Sequence, residues 1–333
     1  RLVYLSDIES FLESLDRAYL LDSEAFRREM ETLCRSFDRA EQRPCAHAGK
    51  SYDADPERLA RFIEQTESEL PEAETRPREV HALVAPHIDI RVARHTYVSA
   101  YRHLRGRRYD LVVILGINHH LQDGLFCLSA KNYLTPFGEL RTDRDFVRSL
   151  EGRVPQGTLS QSDFGHKIEH SVEFQALFLH HVLGETPIVP VLCGGLHEFL
   201  LARKTPFEDG RFTGFVEAVR EQAGKRGNVL FVAGVDFSHV GLKFGDRLPA
   251  ESILARAQAN DRRILDALLA ADGRAIFENA AETADAYKVC GLPALVLLAE
   301  FMTGKKGTLL DHRTYREAAT SSAVTYAAAM FAD

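Results

Sequence analysis

His87, His119 and the pair Asp236 and His239 each follow a short apolar run, and these residue types bind metal ions or carry protons. Val80–Ala85 leads into Pro86-His87, Leu111–Leu115 into Gly116-Ile117-Asn118-His119-His120, and Val229–Ala233 into Gly234-Val235-Asp236-Phe237-Ser238-His239. In an open α/β sheet, ligands bind where loops leave the carboxyl ends of the strands. Imidazoles and a carboxylate delivered there by separate strands can converge on one point. The chemistry expected of them is metal binding, acid–base catalysis, or both.

Each candidate also has a plainer reading. His87 follows a proline that holds residue 85 extended and fixes the exit from the strand; it could equally cap a loop. Asp89, two residues on, could orient an imidazole or bind substrate. His119 and His120 point their rings in different directions, so at most one faces a given metal, with Asn118 available to fix its orientation. Asp236 beside His239 could select the imidazole's tautomer and raise its basicity, as a general base or its partner requires; alternatively the aspartate caps a helix. Cys290 precedes Gly291-Leu292-Pro293 and an apolar helix, and a thiol at a helix N-terminus is expected to have a lowered pKa. A buried inert cysteine is the alternative. His170 and Glu173 open another helix on a shared face, where they border a pocket or serve the helix dipole. His180-His181, near that helix's end, reads as a dipole preference.

The elements that must position these residues follow from periodicity and punctuation. Strands are predicted at 80–85, 111–116, 125–129, 187–193, 229–234, 307–311 and 322–328, and helices at 95–105, 143–150, 171–183, 212–224, 251–270 and 292–303. Val, Ile and Leu without polar alternation at 111–115 and 229–233 indicate central strands buried on both faces. The fold class expected is therefore a layered α/β domain with helices on both faces of the sheet. Asp55-Pro56-Glu57 starts a further helix through about Glu69, with Asp55 as N-cap. Prolines at 71 and 77 bracket a linker over Glu72–Arg78.

Residues 1–44 form a separate N-terminal extension ahead of a 45–333 domain. Ile8, Phe11, Leu12 and Leu15 predict one amphipathic helix, and Phe26, Met30, Leu33 and Phe37 a second. Ser6 or Asp7 and Ser23 are the expected N-caps, with a short strand at Ala18–Asp22 between the helices. The segment is too small to hold a core alone. It either packs on the main domain or is the end of a domain cut off upstream, and a chain opening on Arg1 reads as a trimmed or partial product.

Composition narrows the function. A hydrophobic share of 45% with 27% charged residues is ordinary globular composition, which argues against disorder. The net charge of −7 argues against a general nucleic-acid binder. No apolar run reaches the roughly 18–20 residues that span a bilayer. Five scattered cysteines with no C-x-x-C pair form neither a disulfide framework nor a zinc ribbon, so a reduced cytoplasm is the expected compartment. No G-x-G-x-x-G follows a strand, Gly304-Lys-Lys-Gly307 is not a P-loop, no G-x-S-x-G elbow occurs, and His197-Glu198 lacks the second histidine of H-E-x-x-H.

Seven short motifs together resemble one family. Cys45-Ala-His-Ala-Gly-Lys-Ser-Tyr52, Ala85-Pro-His87, Leu115-Gly-Ile-Asn-His-His120, Glu169-His-Ser-Val-Glu173, Asp236-Phe-Ser-His239, Cys290-Gly291 and Ser321-Ser-Ala-Val-Thr-Tyr326 occur in the order seen in Memo-like proteins. The resemblance covers roughly residues 45–333. It implies a fold similar to the class III extradiol dioxygenases, non-haem iron enzymes that open catechol-type rings. Carried over position by position, it implies metal ligands at His87, His119 and Cys290. Cys290 stands where the iron enzymes have a glutamate. It further implies His239 as general base beside Asp236. The residues themselves add His170, Asp89, Asn118 and His120 around the pocket; Asp89 is a departure, since Ile88-Asp89-Ile90 stands where many relatives have a small, Gly- and Tyr-containing run. Thiolate in place of carboxylate softens the site toward copper or zinc without excluding Fe(II).

The expected function is that of a metal-binding protein that acts as a dioxygenase-like redox enzyme on a small-molecule substrate, with Fe(II) or copper as the favoured cofactor and zinc a further option. The alternative that the resemblance implies is a non-catalytic metal- or partner-binding component of a three-protein (AmmeMemoRadiSam) system that includes a radical-SAM protein. Zinc-assisted hydrolysis ranks behind both. Neither nucleic acid nor membrane is an expected partner.

Overall fold

The computed structural model describes residues 3–72, 77–119 and 123–333. The chain divides into two units, one ending at Glu41 and one running from Gln42 to Asp333. His120 and residues 73–76 of the predicted linker lie outside the described residues.

The small unit holds α1 (Leu5–Arg17) and α2 (Glu24–Asp38). Ser23 caps α2 by accepting the Phe26 N–H at 3.2 Å. The cap of α1 is Tyr4 rather than Ser6 or Asp7, and the Asp7 carboxylate accepts the Tyr4 N–H at 3.0 Å. The strand expected at Ala18–Asp22 is a turn: Tyr19 takes φ 56°, and the Leu20 N–H donates to the Leu15 carbonyl at 2.9 Å. A left-handed residue breaks the extended path a ladder needs.

In the large unit the strands are β1 (Gln42–Arg43), β2 (Val80–Ala85), β3 (Leu111–Ile117), β4 (Phe126–Leu128), β5 (Asn132–Thr135) and β6 (Gly138–Leu140). They continue with β7 (Ile188–Cys193), β8 (Val229–Gly234), β9 (His239–Gly241), β10 (Gly307–Glu317) and β11 (Ser322–Ala332). The helices are α3 (Pro56–Ser68), α4 (Ile90–Tyr101), α5 (Arg144–Glu151), α6 (His170–Leu183), α7 (Leu196–Ala202), α8 (Gly210–Gly224), α9 (Leu254–Leu269), α10 (Gly273–Thr283) and α11 (Leu292–Phe301).

The main sheet runs β10-β11-β2-β8-β3-β7-β4, with β9 added to β11. Its centre, β2-β8-β3-β7, is parallel, and the flanking pairs are antiparallel. Side chains along the central strands alternate between two cores. Ala82, Val84, Leu111, Val113 and Leu115 face one, which also takes α8 and α11 residues. Leu83, Ala85, Val112 and Ile114 face the other, with α3, α4 and α6 residues. Burial on both faces explains why these strands read as unbroken apolar runs.

Three departures from the sequence expectation have local causes. The unit boundary falls before Gln42, not after Pro44, because β1 pairs with β5 and Arg43 is fully buried. Helix α4 starts at Ile90, capped by Asp89, five residues earlier than predicted; Ala93 (φ −105°, ψ 19°) kinks its first turn away from the rest. Helix α10 lies outside the predicted helices, between the ones at 251–270 and 292–303. Asp272 caps it by accepting the Ala275 N–H at 2.9 Å, and a Cβ on Gly273 would lie 3.0 Å from the Val296 carbonyl of α11. No described helix is long and apolar enough to cross a membrane.

Candidate metal centre

Parallel register brings the site together. Ala85 on β2 lies opposite Gly234 on β8, and His87 and Asp236 each stand two residues further along. The His87 N–H consequently donates to Asp236 Oδ1 at 3.1 Å. From β3, the chain leaves Ile117 and reaches His119 after the same two-residue step. The thiol arrives from a different direction, at the start of α11.

Each imidazole is oriented from behind. His87 is buried, and its Nδ1–H donates to the Gly234 carbonyl at 3.0 Å, which leaves Nε2 unprotonated at 3.3 Å from Cys290 Sγ. His119 Nδ1 lies 3.1 and 3.0 Å from the two oxygens of Glu169, leaving its Nε2 toward the cluster. One ligand atom from each of His87, His119 and Cys290 lies within 4.8 Å of the others. Hydrogen bonding of the second ring nitrogen to a carbonyl or carboxylate fixes the tautomer that a metal-binding histidine needs.

Glu169, the first residue of Glu169-His-Ser-Val-Glu173, belongs to the site although it is not among the residues predicted for it. It is the N-cap of α6, accepting the His170 and Ser171 N–H groups at 2.9 and 3.0 Å, and it is almost fully buried. The available signal was its position just before an apolar helix, which reads first as an ordinary cap. Ser171 registers the helix against β3: its hydroxyl accepts the Ile117 N–H at 2.9 Å, and a Cβ on Gly116 would lie 2.6 Å from that oxygen. Gln175 closes the frame by donating to the Pro86 carbonyl at 2.9 Å.

The electrostatics follow from burial and charge. Burial pushes His87 down to about 4, partly offset by Asp236. Burial would also lower His119, but the Glu169 carboxylate outweighs it and raises that imidazole. Glu169 in turn is held well below the usual carboxyl range by His119 and His170, against its own burial. The thiol of Cys290 is raised well above its ordinary value, by burial first and then by the Asp236 charge. That reverses the lowering expected from a helix N-terminus, because desolvation of a thiolate outweighs the dipole.

The remaining expected residues are distributed as follows. His170 stacks on His119 with centroids 5.2 Å apart and meets His87 edge-on at 5.1 Å. Asp236 pairs with His87 rather than with His239. The Nδ1–H of His239 faces the carbonyls of Phe237 and Lys288 at 3.0 and 3.2 Å, leaving Nε2 able to take a proton. Asp89 caps α4 at the cleft rim, accepting the Arg91 N–H at 2.9 Å, and is absent from the ligand clusters among the described residues. Asn118 lies on the other side of His119; its backbone N–H donates to the Cys193 carbonyl at 2.9 Å. Glu173 turns away from the cluster to Arg43, the Tyr52 hydroxyl, and the Ala46 and His47 N–H groups at 3.0 and 2.9 Å.

His87, His119, His170, Asp236, His239 and Cys290 share a cleft of about 800 Å³ with the apolar side chains of Ile88, Val92, Phe244 and Val324. A soft thiol, two oriented imidazoles and a further basic histidine under apolar walls can hold a metal ion and move a proton beside it.

Gly291 permits this approach. A Cβ there would lie 2.6 Å from the Asp236 carbonyl oxygen and 2.8 Å from the Val235 side chain. Gly291→Ala is expected to destabilise the fold by about 1–3 kcal/mol, as overpacking does, and to displace the thiol. Chemical unfolding and metal titration of the purified variant check both effects.

Comparison with known proteins gives one consistent family. The family model described as Memo-like protein matches residues 43–330. A MEMO1 family protein of Aquifex aeolicus is 28% identical over 338 residues, covering 99% of this chain and 83% of that protein. One from Methanopyrus kandleri is 29% identical over 310 residues, covering 87% and 99%, respectively. One from Thermococcus kodakarensis is 30% identical over 301 residues, covering 86% and 98%.

Proposed function

The chain belongs to the Memo-like protein family, and from its oriented His87–His119–Cys290 cluster we propose that it binds a transition-metal ion through these residues at the cleft floor. The observation that carries the reading is the fixing of both imidazoles by Gly234 and Glu169, with the thiol facing His87 Nε2. Two imidazoles and one thiolate suit copper or zinc and accommodate Fe(II). When bound, such an ion supplies a Lewis-acidic centre and, for iron or copper, a redox-active one.

In the enzymatic reading, this chain is a metal-dependent oxidoreductase acting on a small, largely apolar substrate. The cleft walls exclude water around the substrate, Asp236 holds the His87 backbone in place, and His239 Nε2 takes or returns the proton. The thiol in the third ligand position favours a second reading. A soft site that holds its metal tightly also suits a non-catalytic component of a multi-protein system, with a radical-SAM protein as one partner. A cytoplasmic location, where the five free cysteines stay reduced, belongs to both readings.

Anaerobic titration of the metal-free protein with Fe(II), Cu(I) and Zn(II) is the test. Near-stoichiometric binding by at least one is expected, and binding by none of them would overturn the proposal. His239→Ala separates the readings: it is expected to leave metal affinity within about threefold. In the enzymatic reading it lowers turnover by about 10²–10⁴-fold, the usual contribution of a general base. Metal-loaded protein that turns over no small aromatic substrate yet retains a radical-SAM partner in a pull-down supports the second.

A further inference from the structure

The segment that delivers Cys290 is unusual in its backbone. Between α10 and the thiol, three residues other than glycine adopt left-handed conformations: Ala284 (φ 50°), Asp285 (φ 47°) and Lys288 (φ 51°). Residues with a Cβ avoid this region unless neighbouring structure holds them there.

Backbone bonds hold much of it, among them Asp285 N–H to the Ala280 carbonyl at 2.8 Å and Lys288 N–H to the Asp285 carbonyl at 2.9 Å, and one carboxylate ties its last residue. Asp285 Oδ1 accepts the N–H of Val289, the residue before Cys290, at 3.0 Å. Its Oδ2 lies 3.0 Å from Nε2 of His197, the second residue of α7. The carboxylate is 12% exposed while the imidazole is 55% exposed, so a surface ring anchors a largely buried acid. The other side of the segment faces His239. The Tyr287 carbonyl accepts the His239 N–H at 2.7 Å, and the Lys288 carbonyl faces His239 Nδ1 at 3.2 Å. Lys288 itself pairs with Asp246 at 2.7 Å.

The histidine of the unfinished His197-Glu198 motif thus acquires a partner. Glu198 is taken by Arg211, and His197 by Asp285. Cys290 and His197 both line a smaller cleft of about 410 Å³ that adjoins the cluster on the side of Asn118. Without the imidazole, the carboxylate is free to turn toward water, and Val289, the residue before the thiol, loses its side-chain acceptor.

We propose that His197 and Asp285 form a clamp that sets the position of Cys290, and that both are positioning residues for its thiol. The inference rests on the metal-binding role proposed for Cys290, and the reactivity of the thiol tests it separately.

The metal-free full-length protein is titrated with Co(II), following affinity and the near-ultraviolet thiolate-to-cobalt absorption. His197→Ala and Asp285→Ala are each expected to weaken binding by about tenfold or more and to alter that absorption, the usual effect of losing a residue behind a ligand. Asp285→Asn keeps an acceptor for Val289 and a donor for the imidazole, so it recovers most of the affinity. Since His197 is mostly exposed, its alanine variant is the one expected to fold as the parent does. Parental affinity and absorption in both alanine variants overturn the clamp.

A parent protein with no thiolate absorption that Cys290→Ser removes refutes the metal role instead. The clamp is then judged on the metal-free protein. The rate at which Cys290 reacts with an aromatic disulfide reagent, taken as the difference from Cys290→Ser, should change by about tenfold or more in His197→Ala. Equal rates overturn it.

Discussion

Replacing Cys290 with serine is expected to weaken transition-metal binding by at least about 100-fold, or roughly 3 kcal/mol. The thiol is the soft donor in the cluster, and a serine hydroxyl neither ionises near neutral pH nor favours copper or zinc. His119→Ala should match it, since that imidazole is a ligand fixed by Glu169, whose carboxylate keeps His170 and the cap N–H groups when His119 is lost. The pH dependence gives an independent sign. Cys290 is raised and must lose its proton to bind a metal, and His119 is raised and must be neutral to do so. Binding therefore releases protons and tightens as pH rises. The thiol contributes up to about tenfold per pH unit across the neutral range. Cys290→Ser should flatten that slope by about one proton while His119 still titrates. Isothermal titration at three pH values reads affinity and proton release together; a parent slope of zero would contradict this account.

Arg43→Ala is expected to produce the largest loss of stability, about 3–5 kcal/mol, because it leaves a charge buried without its partner. Arg43 and Glu173 are both almost fully buried and paired. The guanidinium also donates to the carbonyls of His166 at 2.9 Å and Glu169 at 2.7 Å. It thereby supports the turn that carries Glu169 behind His119, so the variant should lose metal affinity as well. Burial would raise the Glu173 carboxyl, but Arg43 and the Tyr52 hydroxyl overcome it and hold it below the ordinary value. The stability it contributes is thus fully present above the unfolded pKa of about 4.3 and is lost as pH falls through the lowered folded value. Urea unfolding of parent and Arg43→Ala at neutral and acid pH checks this. The gap between them should narrow on the acid side, where Glu173 becomes neutral in both.

These two expectations differ in how far the sequence anticipates them. Cys290 stands in a short motif before an apolar helix, so its candidacy is visible in one dimension. Arg43 is not: it lies in what reads as the end of a helical extension, where arginine is ordinarily solvated. Only the parallel pairing of Gln42 and Arg43 with Asn132 and Tyr133 takes it into the interior. The same contrast separates His87 from Glu169. A histidine after a buried strand stands out, whereas a glutamate at a helix start looks like a cap, and here it is a cap and an imidazole partner at once.

Asp236 and His239 show why adjacency misleads. Three residues apart, they read as an acid–base pair, yet Asp236 belongs to β8's exit and meets His87 across the β2–β8 register. His239 instead opens β9 and turns its ring to Phe237 and Lys288. Similarly, the helix start that should acidify Cys290 also buries it, and desolvation dominates.

From the sequence alone came the layered α/β class, the central strands, the position of the cluster at their carboxyl ends and the family. All of these depend on local periodicity and short motifs, which a chain carries in linear order. The tertiary structure decided which nitrogen each histidine presents, which carboxylate stands behind it, where the large unit begins and in which direction burial shifts the Cys290 thiol. Those properties depend on hydrogen bonds between residues distant in the chain and on exclusion of water, and neither exists until the sheet and its helices have packed.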